Sequence, residues 1–152
     1  SLNEVNFSHQ GIVIDDVPIS GKIDRIDFLD NQNSILKVID YKTGNPASAS
    51  SRLSVNNLGD YYLQLVFYKL LVENSHTIKG NVTQGLVEFI QKDNNDQYVS
   101  KEFTLNPESV TPVIALMKET YLKIMALDFT KVNSDTYNAC DNPHLHELPL
   151  NF

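Results

Sequence analysis

At 152 residues and 41% hydrophobic content the chain suits one domain with a real core. A formal net charge of −7 argues against a stand-alone nucleic-acid binder, whose surface is normally basic. No apolar run approaches the ~20 residues of a membrane span, and a single cysteine excludes an internal disulfide framework and points to a reducing, cytoplasmic compartment.

Residues 2–7 (LNEVNF) and 10–14 (QGIVI) read as short strands, with Asp15-Asp16 turning the chain before Val17. Residues 19–28 and 34–41 are extended and apolar, and the polar link at 29–33 joins them as a β-hairpin. Residues 45–57 (NPASASSRLSVNN) form a Ser- and Asn-rich loop that either contacts a substrate or merely connects; Arg52 is its only cation and a weak phosphate candidate. A helix follows over residues 58–72, with Tyr61, Leu65, Tyr68 and Val72 in one stripe. Residues 81–91 and 98–105 give two more strands around a KDNNDQ turn. Thr111 then caps a last helix with Pro112 at its first position, and Val113, Leu116, Met117, Thr120 and Ile124 form a core-facing stripe to about residue 127. His9 and His76 read as surface residues. The tail, 131–152, holds Cys140, His144, His146 and Glu147, a spacing that matches no common zinc pattern, and so reads as a plain tail.

The hairpin carries the chemistry. Side chains alternate along a strand, so Asp24 shares a face with Ile26 and Phe28, and Asp40 shares one with Leu36, Val38 and Lys42. Carboxylates turned toward apolar neighbours are costly unless something compensates. Two Asp on adjacent strands with one Lys suit a shared divalent cation, since Mg²⁺ takes carboxylate and carbonyl oxygens and keeps several waters. Arg25 and Asp27 fall on the opposite face as a supporting pair. Gln64 and Tyr68, at i and i+4, share a helix face, and Gln64 within an apolar stripe needs a buried partner. Without a cation the two carboxylates would repel, so Asp40→Asn is expected to be neutral or stabilising in metal-free buffer.

GKIDRID, a strand ending in DYKTG, and the helical Gln64-Leu65-Val66-Phe67-Tyr68 together resemble the PD-(D/E)xK nuclease superfamily, in particular RecB-like nuclease domains attached to helicases. The specific motifs cover residues 10–72, and the element order continues to about 127. The resemblance implies an α/β (α+β) restriction-endonuclease-like fold: a mixed sheet flanked by helices, with a nuclease-like domain over 1–130 and a tail over 131–152. It implies Mg²⁺ or Mn²⁺ on Asp24, Asp40 and the carbonyl of Tyr41, Lys42 as the catalytic cation, and Gln64 and Tyr68 lining the site. It implies DNA as the substrate, with a helicase domain or subunit as a partner. The family's N-terminal helix, with its acidic residue or His, has no counterpart, and neither Glu4 nor His9 clearly replaces it. A longer protein is therefore expected. Some relatives carry a four-cysteine iron–sulfur cluster, which one cysteine cannot form. Two function classes stay open: an exonuclease domain, favoured by the intact Asp24, Asp40 and Lys42, and a non-cutting module that binds DNA or a partner, favoured by the acidic charge.

Overall fold

The computed structural model describes residues 1–30, 32 and 34–127; Cys140, His144, His146 and Glu147 lie outside them. The strands are β1 (Leu2–Asn6), β2 (Ile12–Ile14), β3 (Val17–Ile19), β4 (Lys22–Asp30), β5 (Ile35–Lys42), β6 (Asn81–Lys92) and β7 (Tyr98–Thr104). The helices are α1 (Asp60–Glu73) and α2 (Val110–Met125). A five-stranded sheet runs β1-β4-β5-β6-β7, and β2 and β3 form a separate hairpin. Only β5 and β6 are parallel within this sheet. A parallel pair needs a long crossover, and α1 with the loop before it is that crossover. The α/β class, the mixed sheet and the flanking helices agree with the expected restriction-endonuclease-like fold.

Asp15 and Asp16 both take positive φ, 49° and 68°, between the paired Ile14 and Val17. Both signs suit the tight hairpin turn that matches strand twist, and Asp tolerates that region. The extended run expected from residue 19 is broken: Ile19 closes the β2–β3 hairpin, and β4 begins at Lys22. Gly21 lies in the gap, where a Cβ would come 2.9 Å from the Leu71 side chain. The absence of a side chain there lets α1 approach the turn.

The core gathers Ile23, Ile26, Leu36, Val38, Val82, Val87 and Phe89 of the sheet with Leu65, Val66, Leu71 and Val72 of α1. α1 is apolar on several sides because β5 and β6 cover one and α2 another. Lys69 is buried on it and is fully answered: its Nζ reaches Glu73 Oε1 at 2.6 Å, the Val82 carbonyl at 2.6 Å and Asn81 Oδ1 at 3.3 Å. Glu73 Oε1 also accepts from Val82 N. These bonds fix the end of α1 to the start of β6.

α2 departs from the sequence reading in two ways. A 3₁₀ turn at Pro107–Ser109 leads directly into the helix, so Thr111 is inside it rather than its cap. Pro112 is tolerated in the first turn, where its missing N–H has no intrahelical partner. The packed stripe is also rotated: Val110, Val113, Ile114, Met117 and Tyr121 meet the core, whereas Leu116 is 41% and Ile124 50% exposed. Leu116, Thr120 and Ile124 instead line an apolar groove of ≈ 460 Å³ with Leu63 and Phe67 of α1.

Gly59 precedes α1 where a Cβ would lie 2.4 Å from the Ser51 carbonyl oxygen and 2.5 Å from that of Arg52. Backbone cannot swing aside as a side-chain end can. Gly59→Ala should cost about 1–3 kcal/mol through forced displacement of the loop, read as a lower urea midpoint at unchanged m.

Candidate active site

Asp40 is 3% exposed, on the face of β5 that α1 covers. Its strand neighbour two residues on, Lys42, brings Nζ to 2.6 Å from Asp40 Oδ2. The same Nζ donates to Gln64 Oε1 at 2.7 Å. Gln64 Nε2 donates to the Tyr68 hydroxyl at 2.6 Å, and that hydroxyl donates to Asp40 Oδ1 at 3.1 Å. Asp40, Lys42, Gln64 and Tyr68 thus close a ring, two members from β5 and two from one face of α1. Strand alternation supplies the first two, and the i, i+4 spacing the others.

The antiparallel β4–β5 register, with Arg25 opposite Ile39 and Ile26 opposite Val38, carries Asp24 toward Asp40. Asp24 Oδ2 accepts from the Tyr41 backbone N at 2.9 Å, which ties the two strands at that level. Asp24 is half-buried and opens on a pocket of ≈ 400 Å³ lined also by Asn3, Glu4 and Tyr41. Glu4 pairs there with Lys22 at 3.1 Å. Across the strand Arg25 grips Asp27 with two bonds, 2.8 and 2.9 Å, and reaches the Tyr41 hydroxyl at 3.4 Å. Phe28, expected on the Asp24 face among apolar neighbours, is exposed although it keeps register opposite Leu36.

All five residues named from the sequence as catalytic, Asp24, Asp40, Lys42, Gln64 and Tyr68, therefore fall in one region, with Tyr41 beside them. Tyr61 was read only as part of the apolar stripe, yet its ring centre lies 4.6 Å from Lys42 Nζ. No local pattern marks that contact; it follows from α1 docking on β5. Asp40 Oδ2 is buried without a hydrogen bond of acceptable geometry, although Lys42 lies within ion-pair reach. The difference is angular: charge is compensated but a lone-pair direction is left over. A buried carboxylate oxygen with spare acceptor capacity, on a strand whose neighbour carries a second Asp, suits a hard cation. No three His, Cys, Asp or Glu side chains among the described residues form a ready cage. Mg²⁺ asks for only one or two carboxylates beside its waters, so the donor set fits.

The model of the PD-(D/E)XK nuclease superfamily matches residues 2–142. The chain belongs to that superfamily, whose members generally use divalent metals. No curated protein matches the chain.

The ring changes one expectation. Lys42 already neutralises Asp40, so Asp40→Asn leaves a largely buried ammonium without its counter-charge. In metal-free buffer this variant should lose several degrees in Tm. Burial, and then the nearby Asp40 carboxylate, push the Tyr68 phenol above its ordinary value. The unfolded phenol ionises near pH 10 while the folded one holds its proton. Stability present at neutral pH should thus fall as pH climbs past about 10. Tyr68→Phe should flatten that alkaline fall, read by urea denaturation at successive pH values.

Proposed function

We propose that this chain is the nuclease domain of a RecB-like helicase–nuclease, a metal-dependent DNA exonuclease acting in repair and recombination. The observation that carries the reading is the closed ring, which holds Lys42 between Asp40 and Gln64 with Asp24 on the neighbouring strand. Asp24, Asp40 and the Tyr41 carbonyl would hold Mg²⁺ or Mn²⁺. The bound ion supplies Lewis acidity to the phosphodiester and its leaving oxygen.

The residues of the chain do the positioning. Lys42 is a compact cation on a flexible stem. Gln64 takes one of its N–H donors and Asp40 Oδ2 lies 2.6 Å from the same ammonium, which leaves a donor for a phosphate oxygen or the attacking water. The charge that develops on the phosphoryl oxygens meets a cation fixed before the substrate arrives, the arrangement that lowers a barrier most. Tyr68 holds Asp40 by one oxygen, which keeps the other toward the cation side. Hydrolysis adds water at phosphorus and breaks a P–O bond, and the leaving oxygen takes up a proton.

The second reading is a non-cutting module that binds DNA or a partner subunit, which the net charge of −7 favours. A calorimetric titration with Mn²⁺ should show binding to the wild type that Asp40→Ala loses; equal binding would reject the ligand assignment. On single- and double-stranded DNA with Mg²⁺ or Mn²⁺, Lys42→Ala should lower turnover by about 10²–10³ with DNA affinity nearly intact. Equal cutting by both would reject Lys42, and DNA binding without cutting under either metal would favour the module.

A further inference from the structure

Arg52 lies in the loop between β5 and α1, against the same aromatic ring as Lys42. Its guanidinium carbon is 5.7 Å from the Tyr61 ring centre, and its Nη1 donates to the Tyr61 hydroxyl at 3.1 Å. Its backbone is held as well, because its carbonyl accepts from Tyr61 N at 3.0 Å. The loop around it is anchored rather than free. Ala49 is buried, Leu53 N bonds to the Ala49 carbonyl and Gly59 N to that of Ser54, and Gly59 admits no side chain against it.

Two cations therefore sit against one tyrosine in a strongly acidic protein, one of them in the candidate catalytic ring. Lys42 is already met by Asp40 at 2.6 Å, whereas Arg52 makes no carboxylate ion pair among the described residues and feels Asp60 only at longer range, so its charge stays open to an anion. Arg52 is exposed, and among the described residues only its Nη1 is engaged. The remaining donors of its planar fork suit the oxygens of a phosphate. The alternative, that Arg52 only pins the loop, needs its hydrogen bonds but not its charge.

We propose that Arg52 binds a backbone phosphate of the nucleic-acid strand beside the phosphodiester at Lys42, with Tyr61 as the residue that positions it. The inference rests on the nuclease reading and adds a contact outside the metal and Lys42 chemistry. The test is fluorescence anisotropy of a labelled single-stranded oligonucleotide of about 12 nucleotides, within the usual range of single-strand site sizes. Binding is measured in Ca²⁺ from about 50 to 200 mM KCl, the range where phosphate contacts show as a salt slope.

Arg52→Ala should weaken binding about five- to tenfold at low salt and reduce the slope by about 0.7, the value of one phosphate on a single strand. Arg52→Lys should keep most of the slope. Arg52→Gln retains a donor for the Tyr61 hydroxyl but no charge, and should lose slope like Arg52→Ala. Tyr61→Phe should weaken binding less than Arg52→Ala does, with the slope kept. If Arg52→Gln matches the wild type in affinity and slope while the wild type binds, Arg52 serves the loop alone and the inference fails by itself. A wild type that neither binds nor cuts overturns the nuclease reading and this inference together.

Discussion

Burial of the Asp40 carboxylate is the constraint around which the molecule is arranged. A charge taken out of water must be met by a counter-charge and by donors. The counter-charge comes from the same strand and face two residues on, the nearest position that alternation allows. The donor comes from Tyr68, which requires α1 to lie on β5. Gln64 then binds both Lys42 and Tyr68, so that each polar group in the ring answers another. That docking obliges the next strand to enter beside β5 in the same direction, which makes β5–β6 the parallel pair of the sheet.

Tyr68 and Lys69 are consecutive and point to different strands. Tyr68 bonds to Asp40 on β5, and Lys69 bonds to the Val82 carbonyl at the start of β6. The helix is thereby fastened to both strands it connects, to β5 through Gln64 and Tyr68 and to β6 through Lys69 and Glu73. Apolar packing supplies most of the driving force. These polar contacts select one rotation and one height for α1 among the many that packing alone would tolerate.

Much of the site was legible because period-two and period-3.6 patterns act locally. They put Asp40 with Lys42, and Gln64 with Tyr68, on common faces before any tertiary contact is considered. The Asp15-Asp16 turn was legible for the same reason. What failed depended on neighbours remote in sequence. Ile19 reads as continuous with β4 until Leu71 is seen to press on Gly21. Thr111-Pro112 has the composition of a helix start, but the 3₁₀ turn at Pro107–Ser109 begins the helix earlier. The stripe on α2 held at Val113 and Met117 but ran on to Ile114 and Tyr121 instead of Leu116 and Ile124, since several rotations of that helix present apolar residues and only docking chooses between them. The contact of Tyr61 with Lys42 comes from the docking of α1 on β5, and that of Arg52 with Tyr61 from the fold of a loop without periodicity; no local pattern specifies either.

The turn between β6 and β7 is closed by Asp93, whose carboxylate accepts from Asn95 N and Gln97 N. Among the described residues, the polar side chains of the candidate site all precede it in the chain, from Asp24 to Tyr68. The candidate site is therefore drawn from one continuous stretch, a hairpin, a loop and a helix, although its strand-to-helix contacts span 22 and 28 residues. New termini opened within residues 93–97 and the old ones linked would leave that unit uncut. Such a circular permutant keeps the loop-closure entropy of the site unchanged and alters only how β7 and α2 are tethered to it. In evolutionary terms the same contiguity lets the unit be carried between larger proteins in one piece, with the flanking elements free to diverge.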